Sequence, residues 1–263
     1  MQLLPMRSRN FRRSRTAMSH HIAHIGPENA ILHSLPAFQA GEFRAELEHV
    51  DLPLGEVLIE AGAAIPFVYF PNQGVASVLI VLANGGSVEV GMIDRYGLVG
   101  ARPWFDPTQS HHQVVVQAAV QGYRIKTSLF NGHAEGAGMG SPAMVDFSYL
   151  YPLQIAQTAA CNRLHAADRR LARWLLMMDD RMTGAMEMTQ EFLGFMLGTR
   201  RSTVNYAANV LQEKKTIALS RNRILIINRA QLELSACECY VGLREIDLKR
   251  GIIRVPLTSP NRN

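Results

Sequence analysis

Arg201, Ser202, Asn205 and Tyr206, with Asn209, fall together on one side of a helix expected over roughly 200–213. A guanidinium, a hydroxyl, a carboxamide and a phenol present hydrogen-bond donors and acceptors rather than solvating acids. The opposite side carries Val204, Ala207, Ala208 and Leu211 at i, i+3, i+4 and i+7, which is the spacing of a core face. No carboxylate occurs between Arg200 and Gln212 to repel a polyanion. A helix built this way suits the major groove of DNA, where base edges are read by such groups.

The elements that must hold this helix are legible beside it. Gln190-Glu191-Phe192-Leu193-Gly194-Phe195-Met196-Leu197 reads as a short partner helix, with Thr189 placed to cap it. Gly198 can take the positive φ that a sharp helix–helix turn needs, and Gly194 is small where the helices would cross. Downstream, Thr216–Leu219 and Ile224–Ile227 read as a β-hairpin with Arg221 and Arg223 at its tip. A basic tip beside a polar helix makes sense as a wing touching phosphates.

Other residues with chemical potential are weaker. His111-His112 could bind a metal or a haem, but they sit in a polar stretch before a strand and read as a solvated loop. Cys161, Cys237 and Cys239 are too few for a disulfide framework, and the C-x-C lacks the spacing and partner pair of a zinc site. All three read as reduced structural thiols in a cytoplasm, with no metal or other cofactor implied. No Ser-His-Asp, Cys-His or paired-carboxylate arrangement stands out, so the expectation is that the chain is not an enzyme.

Charge is sharply divided along the 263 residues. Residues 18–159 carry five basic and twelve acidic side chains, and residues 160–263 carry seventeen and ten. Such asymmetry points to a nucleic-acid-binding C-terminal part. Residues 1–17 add five arginines and no acid, and lack the apolar core of a secretory signal. They read as part of a basic, disordered tail over 1–25, with Met18 a plausible start. An apolar content of 48% allows a real core, and no uninterrupted apolar run of membrane-spanning length occurs.

Between these ends the pattern changes twice. Residues 26–50 read as helical pieces. From about Val50 to Phe130, short runs such as Val57–Ile59, Val68–Phe70, Ala76–Val81, Val88–Met92, Val114–Val116 and Gly122–Ile125 alternate with turn residues. Asn84-Gly85 is a hairpin signal. Many short strands suggest a small barrel or rolled sandwich. After a Gly-rich stretch over Asn131–Gly140, expected as a loop, Ser141-Pro142 opens a helical pattern reaching Met178. Pro152 should divide or kink it. A stripe of Ile155, Thr158/Ala159, Cys161/Asn162 and His165 offers a dimer seam. Arg170–Met178 is an amphipathic helix with Trp174 in the core, and Arg229–Tyr240 a closing helix.

Ala159-Ala160-Cys161-Asn162-Arg163-Leu164-His165, Arg170-Leu171-Ala172-Arg173-Trp174-Leu175-Leu176 and Met188-Thr189-Gln190-Glu191-Phe192-Leu193 through Gly198-Thr199-Arg200-Arg201-Ser202-Thr203-Val204 carry a resemblance. Together with the order of parts, they resemble the Crp/Fnr family of bacterial transcription regulators over about 28–240. The resemblance implies an α+β chain. A β-roll like a cyclic-nucleotide-binding domain would span 26–141, a dimerisation helix and linker helix 142–178, and a winged helix–turn–helix 179–263. It also implies that Arg201, Ser202, Asn205 and Tyr206 read bases, with Arg201 facing guanine. Thr189, Gln190, Arg200 and Thr203 would join Arg221 and Arg223 on phosphates. Implied partners are a near-palindromic double-stranded DNA site, a second copy of the chain and RNA polymerase, without a membrane.

The family's cyclic-nucleotide cassette is not matched: Tyr96-Gly97-Leu98-Val99-Gly100 has leucine in place of the ribose-binding glutamate, and no arginine lies between Arg102 and Arg124. No cysteine precedes Cys161 to hold an N-terminal iron–sulfur cluster. The effector is therefore unidentified or absent. The alternative is a ligand-binding β-roll module that regulates a protein partner.

Overall fold

A computed structural model describes residues 28–42, 44–100, 109–137, 141–182 and 184–249. The basic tail over 1–25 lies outside the described residues. Helix α1 (Ala30–Ser34) begins at Asn29, whose Oδ1 accepts from the Ile31 and Leu32 amides. The Asn29 amide also donates to the carbonyls of Pro71 and Gly97, at 2.9 and 2.8 Å. A fully buried polar side chain thus has its groups engaged and pins α1 to the sheet. Helix α2 (Pro36–Gln39) follows directly.

The roll is a five-stranded antiparallel sheet of β1 (Glu48–Leu52), β2 (Val57–Ile59), β3 (Phe67–Val81), β4 (Ser87–Ile93) and β5 (Gln113–Lys126), ordered β1-β5-β3-β4 with β2 also paired to β5. The Asn84-Gly85 turn joins β3 to β4 as expected, with Gly85 at φ 81°. Two pairs of short runs are in fact continuous. Val68–Phe70 and Ala76–Val81 belong to one 15-residue strand, and Val114–Val116 and Gly122–Ile125 to one of 14. Pro71-Asn72 lies inside β3, where register shifts between Pro71 and Ala76 absorb the irregularity. Gly74 permits that bulge. Its φ is +84°, and a Cβ there would lie 2.1 Å from the Ala119 carbonyl oxygen.

The stretch expected as a Gly-rich loop is mostly helix: α3 runs Thr127–Ala137. Phe130, buried against Phe70, anchors it to the core and outweighs the low helix propensity of Gly132 and Gly136. Helix α4 (Pro142–Leu164) is one 23-residue helix that contains Pro152. Ser141 caps it and Pro142 fills its first turn, as read from sequence.

The seam expected on α4 is split: Ala159 is exposed, but the rest is largely taken up by the chain's own fold. Thr158 and Cys161 are buried in the chain's own fold and Ile155 is half-buried, because α5 (Ala167–Asp179) and α9 (Glu238–Lys249) pack there. The exposed stripe of α4 is Val145, Tyr149, Pro152, Ala156, Ala159 and Arg163. These alternate four and three residues apart, the spacing of a helix–helix seam.

The C-terminal part contains β6 (Met186–Glu187), α6 (Gln190–Leu197), α7 (Arg201–Glu213), β7 (Ile217–Ser220), β8 (Arg223–Ile226) and α8 (Arg229–Ser235). The expected single closing helix is two, α8 and α9, divided at Ala236-Cys237. Trp174 is 1% exposed, in a core that joins α5 to α6, α7, α8 and the roll residues Val75, Leu79 and Met92.

Candidate nucleic-acid interface

Helices α6 and α7 form the expected pair. Thr189 Oγ1 accepts from the Phe192 amide at 3.1 Å, and Gly198 sits at φ 57° in the turn. A Cβ on Gly194 would lie 3.1 Å from the Thr199 carbonyl oxygen, which accounts for the small residue at the crossing. Val204, Ala207, Ala208 and Leu211 are all buried, so the apolar face read from periodicity is the packed one.

That packing turns the polar face outward. Arg201, Ser202 and Asn209 are exposed and Tyr206 is 68% exposed. Asn205 departs from the expectation: it is half-buried, and its Oδ1 is covered without a protein hydrogen-bond partner. Gln190 and Arg200 are exposed at the starts of α6 and α7, and Thr203 is half-buried. The Thr189 hydroxyl is used as the cap. Three strands, ordered β6-β8-β7, make the wing, with Arg221 exposed in its turn. Arg223 is held by Glu187 of β6 at 2.8 Å. Both side chains are more than half exposed, so that pair is weak and a phosphate can compete for the arginine.

The helix pair is docked on the roll. A Cβ on Gly198 would lie 2.8 Å from Val88 Cγ2 of β4. Arg170 of α5 donates to the Leu197 carbonyl. Arg181, just past α5, pairs with Asp94 after β4 at 2.9 Å. At the centre of this joint, Glu89 of β4 is 4% exposed. It accepts from the Trp174 indole at 3.0 Å and from the Ser77 hydroxyl. Burial raises its carboxyl to about 7, although Ser77, Arg173, Trp174 and Arg181 oppose the rise.

On the sensor side, Leu98 is buried with Ile31, Leu32 and Phe70, so the position lacking the family's glutamate serves the core. A cleft of about 280 Å³ lies between the roll and α4, lined by Met92, Tyr96, Phe147 and Tyr151 together with Arg181 and Arg244. Asp94, Asp180 and Asp247 already face these cations. Of the pair read as a solvated loop, His111 is exposed, whereas His112 is half-buried and burial lowers its pKa.

The cysteines are where the sequence reading changes most. Cys161, Cys237 and Cys239 are buried together, with His165 beside them. They are not independent thiols. The hydrogen bond from Cys237 draws Cys161 toward its thiolate, Arg173 adds to this, and burial opposes it. The signal that could have found the group was Cys161-x-x-x-His165, one helical turn apart, set beside the C-x-C.

Comparison with known proteins agrees with this architecture. A model of the cyclic nucleotide-binding domain family matches residues 49–134, and one of the Crp-like helix-turn-helix domain family matches residues 169–234. Together they span more than half of the chain. No curated protein matches it by sequence. Among solved structures, FixK2 from Bradyrhizobium japonicum is similar at TM-score 0.59 and 17% identity, covering 73% of this chain and 98% of that one. The c-di-GMP responsive global regulator CLP from Xanthomonas campestris is similar at 0.58 and 12%, covering 72% and 98%. A CRP-family transcriptional regulator from Thermus thermophilus matches at 0.58 and 15%, covering 72% and 96%. A nucleotide-binding-type β-roll, a long helix and a Crp-like helix–turn–helix in one chain, with an outward cationic and amide-bearing helix face, make this protein a member of the Crp/Fnr family of DNA-binding transcription regulators.

Proposed function

We propose that the chain acts as a homodimer that reads a near-palindromic DNA site through α7. The observation that carries this reading is the outward face of α7, where Arg201, Ser202 and Tyr206 are exposed while the apolar face is fully packed. Arg201 faces guanine O6 and N7, and Ser202 and Tyr206 contact neighbouring bases. Asn205 joins them once its half-buried side chain turns outward to a base edge. Gln190, Arg200, Thr203, Arg221 and Arg223 hold phosphates, and Thr189 orients α6 through its cap. RNA polymerase is the partner expected of a bound regulator in the cytoplasm.

Selection of bound DNA from a random pool tests the reading. A twofold-symmetric site, with half-sites about one helical turn apart, supports it. Arg201→Ala is expected to cost about 1–3 kcal/mol at one base-pair position and to relax preference there. Wild-type affinity of that variant for both matched and scrambled sites would overturn the role. Binding should also weaken steeply with salt, as counterions leave the phosphates.

Dimerisation is assigned to the exposed stripe of α4. Ala156→Glu places a carboxylate near the middle of that stripe without touching the core. Sedimentation should then show a monomer where the wild type is a dimer, and affinity for the full site should drop. A variant that stays dimeric with unchanged affinity would refute this seam.

A further inference from the structure

We propose that Cys161, His165, Cys237 and Cys239 bind one zinc ion tetrahedrally, stapling the end of α4 to the start of α9. Their four candidate ligand atoms all lie within 4.8 Å of one another. A zinc ion with Zn–S of about 2.3 Å and Zn–N of about 2.0–2.1 Å holds its ligands roughly 3.5–3.8 Å apart. Two separations already have that size. Cys161 Sγ and Cys237 Sγ are 3.5 Å apart, as are Cys239 Sγ and His165 Nδ1. None of the three cysteines is in a disulfide.

The surroundings match what a metal-bound imidazole and thiolates require. His165 Nε2 lies 3.1 Å from Glu238 Oε1, so Nε2–H can donate to the carboxylate and leave Nδ1 for the metal. Gln157 Nε2 donates to Cys239 Sγ at 2.9 Å. Three thiolates on a divalent ion leave one negative charge. Arg173, 3% exposed, and Arg170 lie near enough to act electrostatically on Cys161. The donor set of three sulfurs and one nitrogen is that of a closed structural zinc site, and ligands this close together suit a single ion rather than a cluster that spreads them over several metals.

The position gives the site a task. Cys161 and His165 end α4, and α5 starts only at Ala167. Cys237 and Cys239 lie beyond the helix–turn–helix, at the α8–α9 junction. One ion would therefore bridge the break between the long helix and the DNA-binding part.

The test uses full-length, tag-free protein purified under reducing conditions without chelator. Elemental analysis should give one zinc per chain. After chelation, cobalt should refill the site with tetrahedral ligand-field bands and thiolate charge transfer, and the metal-free form should melt more than about 5 °C lower. Glu238→Gln changes only an exposed supporting carboxylate and should weaken metal affinity about 10–100-fold with the fold unchanged. His165→Gln should lose stoichiometric binding while retaining the wild-type circular dichroism spectrum. Reduced protein that neither carries zinc nor takes up cobalt overturns the proposal. So does iron with acid-labile sulfide, or affinity unchanged in both variants.

Discussion

Trp174→Ala is expected to lower unfolding free energy by about 3–5 kcal/mol, because a large buried ring is deleted from a core that cannot collapse fully. The side chain is 1% exposed and lies where the cores of the roll and the helix–turn–helix merge. Its indole N–H also donates to Glu89, so the deletion strips one donor from a buried carboxyl. Trp174→Phe helps to separate the two effects: it keeps most of the apolar volume while removing the hydrogen bond. Urea unfolding of both variants should give a smaller loss for phenylalanine, and one that grows above pH 7, where the carboxyl would be ionised. A loss below about 1 kcal/mol for alanine would show that the joint does not hold the two parts together.

Glu89→Gln should stabilise the folded chain at pH 8 and change little near pH 4.5. The folded carboxyl is raised to about 7 from an ordinary value near 4.5, so between these pH values the native state holds the proton more tightly than the unfolded state. Native stability therefore falls as pH rises through this window and levels off above it, by at most about 3 kcal/mol. The groups facing Glu89 come from every packed element. They are Ser77 of β3 with Gln117 of β5 behind it, Trp174 and Arg173 of α5, Arg181 beyond α5, and Tyr151 of α4. Glutamine can still accept from the indole and donate to Ser77, but cannot ionise. Unfolding curves for wild type and variant at pH 5 and pH 8 should diverge only at the higher pH. Parallel curves at both would mean that Glu89 does not titrate there. Glu89 sits on β4, against which the end of α6 docks.

Local rules carried the DNA-facing part. Thr189 as a cap, Gly198 at positive φ, and Val204, Ala207, Ala208 and Leu211 as a buried stripe are decided by neighbours within a turn or two of helix. Ser141-Pro142 and Asn84-Gly85 were legible for the same reason. The Gly-rich α3 was not, because the contact that rescues it joins Phe130 to Phe70, 60 residues away.

By itself, then, the chain's order of residues settled a β-roll, a long helix and a helix–turn–helix with a polar outer face. Tertiary packing decided which side of α4 is left bare, since both of its stripes are weakly apolar and only the approach of α5 and α9 covers one. It also decided that Glu89 is sealed beneath Trp174, and that Cys161 meets Cys237 across 76 residues. Periodicity reports what lies along one element. It carries no information about which distant element will supply the low-dielectric wall or the second pair of ligands, and those are what give a carboxyl or a thiol its chemistry.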